Sequence, residues 1–490
     1  MGNHVVSYQS PRPEVKIWKP DKTGNPIVFN TAEKSILQSY SFGTSINDQK
    51  GKFTLTFYPD IGNLPPGKNT IMDQIQIMDV VEIYESKNHF VQSLPRGIPG
   101  EVKTASTKVI PTFVGVIREK KYSVQFTDNG AKRIVTISGH SIAGLIHEFK
   151  INLDMKVMVI RDQLAANKAV QDAFNLEFNN NTNLEPHEIA NVIKQIWESF
   201  ILLSKGYENL ATLKIEEYIK KWIGSADDIF DIDTKTKFRY PIGSIFNGNS
   251  TQTFYDIIAN LVPKPVYEIF PYMDFKKGIM RMKIREVPFD MDIWRDSKKI
   301  KITSIDPKLV KSFDVKQNDN EVYTVFFSYL RNSAIQQDLA FKLAAQQLKE
   351  CPGIEVDDDK FQKYGYRPLL VTFNGFPAEG DTETPQNLQA LNERLKEWFG
   401  KKEEMYSGTI SMETNLAEYM PQPGERVAFL GGEFYVVDSE HNWNFGAAPE
   451  MRITIDRGGD YSLEKFSELK EISKRYQEFE NCIISKFGVF

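Results

Sequence analysis

Strict alternation of apolar and polar residues organises the stretch from Glu403 to Gly458. In Glu450–Asp456, Met451, Ile453 and Ile455 alternate with Arg452, Thr454 and Asp456. A period of two marks a half-buried antiparallel strand. Ser407–Met412, Glu425–Leu430 and Glu433–His441 read as three strands before it, with Pro423-Gly424 turning into the second. Gly431-Gly432 is a two-residue hairpin signal, because both residues accept positive φ. The pattern predicts a small antiparallel meander or barrel closed by Gly458-Gly459.

The same succession occurs near the N-terminus. Phe53–Phe57 places Phe53, Leu55 and Phe57 on one face. Asp79–Tyr84, Thr112–Val124 and Arg133–Gly139 follow as strands, and a helix-like run covers Ser141–Phe149. Four strands, a glycine and a helix thus occur twice, which reads as duplication of one unit. The two sheets, 28–140 and 300–457, are expected to share one strand order.

Between them the period changes. Ile189, Val192, Ile193, Ile196, Trp197 and Phe200 recur at three- and four-residue steps, as do Ile215, Tyr218, Ile219 and Trp222. These are core-facing stripes of amphipathic helices rather than a cofactor box. A helix over Thr253–Leu261, capped by Ser250 or Thr251, ends before Pro263 and Pro265. Strands Val266–Phe270 and Ile279–Arg285 come next. Ile300–Ile305, Lys311–Lys316 and Val322–Tyr329 are expected to open the second barrel. Two helices interrupt it, Ser333–Glu350 and Thr384–Phe399. Asp357-Asp358-Asp359 lacks the spaced ligands and glycine of a calcium loop and reads as a solvated acidic turn. The last helix, Ser462–Lys486, carries Leu463, Phe466, Leu469, Ile472, Tyr476, Phe479 and Ile483 as a stripe. It packs either on its own barrel or on a partner chain, and Leu463, Phe466, Leu469, Ile472, Tyr476 and Phe479 are the candidate partner-interface residues.

The fold class is therefore α+β and β-rich, with two related tube-like antiparallel β-barrels, α/β insert domains and a C-terminal helix. The domains are an N-terminal arm (1–27, irregular and proline-rich), a first barrel (28–145) and a helical and α/β middle domain (146–299). The second barrel (300–332 and 401–460), a helical insert (333–400) and the C-terminal helix (461–490) complete the chain. A length of 490 residues asks for more than one core. A net charge of −5 argues against broad nucleic-acid or membrane binding. Cys351 and Cys482 make no disulfide framework and fit folding in a reducing cytosol. No apolar run reaches membrane-spanning length, and Met1–Ser10 does not read as a signal peptide.

Catalytic constellations are not found. The histidines are His4, His89, His140, His147, His187 and His441, without a His-Glu-x-x-His motif. The nearest approach to a nucleophile elbow, Gly139–Gly144, places its second glycine one residue late and reads as a strand end followed by a helix cap. Phosphate-binding and dinucleotide-binding loops are missing, and the cysteines lack metal-ligand spacing. No catalytic, cofactor-binding or metal residue is assigned, and no cofactor or enzymatic activity is expected.

Several segments, in order, resemble contractile-tail baseplate hub proteins. Val262-Pro263-Lys264-Pro265-Val266-Tyr267-Glu268 and Met280–Phe289, with Arg285-Glu286-Val287-Pro288-Phe289, are similar to the middle of that family. So are Tyr364–Leu369 and, in the C-terminal barrel, Tyr406–Ile410, Pro423–Val427, Tyr435–Val437 and His441-Asn442-Trp443. The resemblance spans about residues 30–460. It implies a homotrimeric adaptor joining the sixfold tail tube, and the tape-measure protein, to the threefold spike of a phage tail, phage-tail-like bacteriocin or related injection particle. Baseplate wedge proteins are further implied partners, and no stable nucleic-acid or membrane binding is expected. Two barrels in each of three chains supply the six units that the tube requires. The particle would be assembled in the bacterial cytoplasm and released outside the cell. Neither a spike β-helix nor a lytic domain is legible, so spike and wall digestion are expected on other polypeptides. The competing readings are a hub-associated peptidoglycan hydrolase, with 145–240 as its lytic part, and the hub of a non-contractile tail or a type VI-like spike.

Overall fold

The computed structural model describes residues 13–20, 22, 24–30, 36–58, 71–85, 110–127, 130–152, 187–194, 197, 219–234, 237–239, 251–288, 300–330, 354–373, 376–377, 384–400, 402–414, 420–430 and 432–458. Its N-terminal part holds β1 (Glu14–Trp18), β2 (Ile27–Asn30), β3 (Leu37–Ser45), β4 (Lys52–Phe57), β5 (Val80–Tyr84), β6 (Phe113–Thr127) and β7 (Gly130–Ser141). The middle adds β8 (Lys150–Asn152), β9 (His187–Glu188), β10 (Phe230–Asp233), β11 (Lys237–Arg239), β12 (Thr251–Thr253), β13 (Tyr267–Asp274) and β14 (Ile279–Glu286). Then come β15 (Ile302–Ser304), β16 (Val310–Lys316), β17 (Val325–Leu330), β18 (Glu355–Val356), β19 (Pro368–Phe373) and β20 (Phe376–Pro377). The chain's last described strands are β21 (Tyr406–Glu413), β22 (Arg426–Phe429), β23 (Gly432–Asn444) and β24 (Glu450–Gly458).

The expected pair of closed barrels is replaced by one open sheet of thirteen strands, ordered β16-β21-β24-β23-β3-β4-β7-β6-β5-β1-β2, with β22 on β23 and β15 on β22. The reason lies in β23. One edge stays on β24 throughout, but the other pairs with β22 at first and, from Asp438 onward, with β3 of the other half. The halves therefore merge instead of each closing on itself.

Within that sheet the duplication expected from the sequence is visible strand by strand. The N-terminal half runs β3-β4-β7-β6-β5-β1 and the C-terminal half runs β16-β21-β24-β23-β22-β15. Two bulges coincide, while a third, between Tyr406 and Gly408 in β21, has no counterpart between β4 and β7. β3 slips between Leu37 and Ser39 where β16 slips between Val310 and Ser312. β6 slips between Ile117 and Glu119 where β23 slips between Val436 and Asp438. A bulge adds one residue to one strand and re-aims it, so matched bulges fix one residue-by-residue correspondence. The halves differ at β15, which lies parallel to β22, whereas β1 lies antiparallel to β5.

Other elements depart from the sequence pattern locally. Glu14–Trp18, inside the arm read as irregular, is a strand on β5 with Val15 and Ile17 buried. The prolines at 11, 13 and 20 hide that short alternation. The Val322–Tyr329 segment does not open the second barrel; β17 pairs with β18 and runs parallel to β19 in a small separate sheet. Asp357 caps the helix Asp358–Tyr364, accepting from the Lys360 N–H, so the acidic run is a helix start. The cap of helix Phe254–Leu261 is Thr253, because Thr251–Thr253 extends as β12. In the β22–β23 hairpin Phe429 faces Gly432, and Leu430 takes a positive φ of 48°. The Ser141 cap reading holds: its hydroxyl accepts from the Gly144 N–H and starts the 3-10 helix Ile142–His147.

Two cores result. The larger sits under the N-terminal half and the middle domain, where Trp197 meets Phe230 and Phe254 edge-on at 5.5 and 5.2 Å. Ile189, Ile193 and Trp197 are fully buried there, so the stripe is packing. The smaller core gathers Ile410, Met412, Val427, Phe434, Ile453 and Ile455.

Gly139 permits the β6 bulge, since a Cβ there would lie 1.9 Å from the Val116 carbonyl oxygen. Gly139→Ala is expected to destabilise the fold by about 1–3 kcal/mol, as overpacking does, read as a lower denaturant midpoint. His147 stacks on Tyr255 at 3.8 Å, and its Nε2 finds no hydrogen-bond partner among the described residues. Burial, then the Lys50 charge, push its pKa from 6.5 down to about 4, against a backbone hydrogen bond with Gln49. The unfolded chain then protonates first as pH falls, so this site's stability is full above 6.5 and drains between 6.5 and about 4. His147→Phe is expected to flatten that acid-side loss in urea midpoints measured across the same range.

Candidate functional site

The seam between β23 and β3 is the place where the two halves become one surface. It runs in register from Asp438↔Ser45 to Asn444↔Ser39. On its core side, Phe42 stacks on His441 at 4.4 Å and Tyr40 on Trp443 at 5.4 Å. Such facing pairs are the unit by which a sheet gains stability. Glu85, just past β5 and 3% exposed, reaches both strands. It accepts from the Tyr40 hydroxyl at 2.8 Å and bonds His441 Nδ1 with its other oxygen. Burial, reinforced by the Glu85 charge, raises the Tyr40 phenol well above its ordinary value and keeps it a donor.

A second buried cluster clamps the middle domain to the same strand. β13 and β14 form a hairpin that sets Glu268 opposite Arg285. Arg285 Nε donates to Glu268 Oε2 at 3.0 Å, and Nη2 donates to the Gly424 carbonyl at 2.7 Å and to Tyr435 Oη at 2.6 Å. The Tyr435 hydroxyl in turn donates to Glu268 at 2.6 Å. Burial raises the Tyr435 phenol well above its ordinary value, although the Arg285 charge opposes it. Gly424, at φ 80°, lets the loop approach: a Cβ there would lie 2.4 Å from the Phe270 ring. Beside it Gln422 takes the Met273 N–H at 2.6 Å and returns an N–H to the Met273 carbonyl at 2.8 Å. Farther along, Arg457 lies 4.0 Å over Trp398 and donates to its carbonyl, while Lys402 pairs with Asp456. These contacts pin helix Thr384–Gly400 to β24.

The other face of the sheet is polar, with small groups along the seam and charges such as Lys52, Glu440, Glu450 and Arg452 beside them. One row crosses the seam as Asn442, Ser41, Thr54, Ser138 and Glu119; the next runs Asn444, Ser39, Thr56, Thr136 and Lys121. Alternation places them opposite the core.

The arrangement described so far is one of packing. His140 bonds Glu148 at 2.7 Å, His147 stacks on Tyr255 and His441 belongs to the seam. Among the described residues, no cluster of His, Cys, Asp or Glu is arranged to hold a metal, and no helix is long and apolar enough to cross a membrane. The candidate interface residues Leu463, Phe466, Leu469, Ile472, Tyr476 and Phe479 lie outside the described residues. Tyr40, Glu85, Glu268, Arg285 and Tyr435 went unremarked as a site from sequence. For Glu268 and Arg285 a signal existed, since the Asp274–Gly278 turn sets them opposite each other in the hairpin.

No family model matches the chain, and no curated protein matches it. Among solved structures, it is similar to a tail protein from Neisseria meningitidis MC58, at 9% identity and a TM-score of 0.46, over 91% of this chain and 97% of that one. It is also similar to the 43 kDa tail protein of prophage MuSo2 from Shewanella oneidensis, at 11% identity and a TM-score of 0.45, over 91% and 98%. A third is the prophage tail protein gp18 from Listeria monocytogenes EGD-e, at 8% identity and a TM-score of 0.40, over 94% and 99%.

Removing Arg285 strands a buried carboxylate. Arg285→Met is expected to cost about 3–5 kcal/mol, as loss of one partner of a buried pair does. Replacing Glu268 as well, by Gln, is expected to recover part of it, so a double-mutant cycle read by chemical denaturation should show strong coupling.

Proposed function

We propose that this chain is a structural subunit of a phage tail or tail-like injection particle. Its role there is that of the baseplate hub, a homotrimer joining the tail tube and tape-measure protein to the spike, and touching the wedge proteins around it. The observation that carries the reading is the doubled sheet: one strand order, with two bulges at matching places, twice in a single chain. A protein that must present six equivalent units from three chains needs such a repeat. The order of the hub-like segments, from Val262-Pro263-Lys264-Pro265 to His441-Asn442-Trp443, supports it from the sequence side. The Ser/Thr/Asn rows, flanked by charges of both signs, suit a channel wall past which polymer must slide, because no single sign of charge dominates to hold it. The role is mechanical rather than enzymatic. Assembly takes place in the bacterial cytoplasm, and the protein leaves the cell within the particle.

Two measurements test this. Quantitative mass spectrometry of purified particles is expected to find three copies per particle, and labelling should place them at the spike end of the tube. A chain absent from the particle, or present as one copy, contradicts the proposal. Incubation of the pure protein with cell walls is expected to release no soluble peptidoglycan fragments; their release would favour the hydrolase reading.

A further inference from the structure

Besides the outer edges of β2 and β15, two strand edges in the large sheet carry no partner strand among the described residues. One is the outer edge of β16, which pairs only with β21. The other is the outer edge of β6 beyond Val116, since β5 covers only Phe113–Val116. Open edges invite pairing with another chain. The internal repeat says which edge meets which. β16 occupies in the C-terminal half the place that β3 occupies in the N-terminal half, and β6 corresponds to β23. β3 and β23 are already joined, at the seam.

The matched bulges carry the register across. Glu119 corresponds to Asp438, Tyr122 to His441 and Val124 to Trp443. Phe313 corresponds to Tyr40 and Val315 to Phe42. We infer that β16 of one copy pairs antiparallel with residues 119–126 of β6 in the next copy, repeating the seam. Tyr122 then faces Val315, Val124 faces Phe313 and Ser123 faces Asp314. The side chains agree with that assignment. Tyr122, Val124 and Phe126 are 60%, 51% and 86% exposed, an unusual apolar run on a polar strand. Opposite them come the half-buried Phe313 and Val315. Phe126 corresponds to Phe445, whose N–H donates to the Gln38 carbonyl at 2.7 Å beyond the end of the internal seam. On the polar face Lys121 and Lys316 come opposite each other. Lys121 is diagonal to Asp314, and Lys316 is diagonal to Glu119 where Glu119 meets Asn318, so each lysine has an acidic diagonal neighbour.

Such a contact is head-to-tail, and its repetition either closes a ring or runs on as a filament. The number of copies, three, rests on the hub reading above; the choice of edges comes from the sheet alone.

The test is disulfide trapping in the full-length chain with Cys351→Ser and Cys482→Ser. Ser123→Cys with Asp314→Cys is the matched pair. Ser41→Cys with Asn442→Cys, across the internal seam, is the positive control. Lys121→Cys with Ser312→Cys, four residues out of register, is the negative one. Mild oxidation is expected to give a ladder of linked chains ending at three copies for the matched pair, no ladder for the shifted pair, and a link within one chain for the internal pair. Tyr122→Asp with Val124→Asp, both on exposed positions, is expected to abolish the oligomer in sedimentation while the circular dichroism spectrum stays as in the parent and Tm loses its dependence on protein concentration. A trimeric mass without a matched-pair ladder, or an oligomer that survives Tyr122→Asp with Val124→Asp, overturns the edge assignment and leaves the hub reading standing. A link formed within one chain by the matched pair also overturns it. A matched-pair ladder that closes at another number keeps the edges and removes the trimer.

Discussion

β23 has to satisfy two partners, and the rest of the architecture depends on how it does so. Its backbone offers one outer edge, and that edge is divided. Gly432–Tyr435 serves β22, and Asp438–Asn444 serves β3. The bulge between Val436 and Asp438 is what makes the division possible, because the extra residue bends the strand away from one sheet toward the other. β6 is built on the same plan, with its bulge between Ile117 and Glu119.

The buried polar groups are placed where this division needs a fixed geometry. Apolar packing alone tolerates sliding, whereas a desolvated carboxylate is stable only when its donors sit at the right atoms. Glu85 ties β3 to β23 through Tyr40 and His441, so a slip of one residue at the seam would strand all three. Glu268 and Arg285 do the same between the β13–β14 hairpin and Tyr435, at the other end of β23. Both ends of the divided strand are thus held by groups that are costly to separate.

Local pattern was legible in the sequence, and long-range pairing was not. The alternation in Met451–Asp456 and in Phe53–Phe57 announced its strands, and the repeated succession announced the duplication that the strand order displays. The stripe of Ile189, Ile193 and Trp197 announced a core helix. Misreadings arose where a local rule was overridden. Prolines around Val15 and Ile17 masked a strand that β5 recruits. The pair Gly431-Gly432 drew the turn one residue too late, since Leu430 adopts the positive φ. Three aspartates looked like a turn, although Asp357 serves as a cap. The seam itself joins residues almost four hundred positions apart, with Asn444 facing Ser39. Alternation says that a strand has a buried face and is silent about which strand lies beside it. The closed barrels therefore followed from local strand readings, which passed over β1 and β3, and from an unknowable partner.

The central claim is that the step from one half to the other inside the chain is the step by which copies meet. Cryo-electron microscopy of the assembled ring, solved without imposed symmetry, tests it most directly. The account predicts one continuous β-wall of six sheets from three chains, with alternate seams formed by β3–β23 within a chain and by β16–β6 between chains. A ring whose chains touch through the middle domains, with the β16 and β6 edges apart and open, would contradict it.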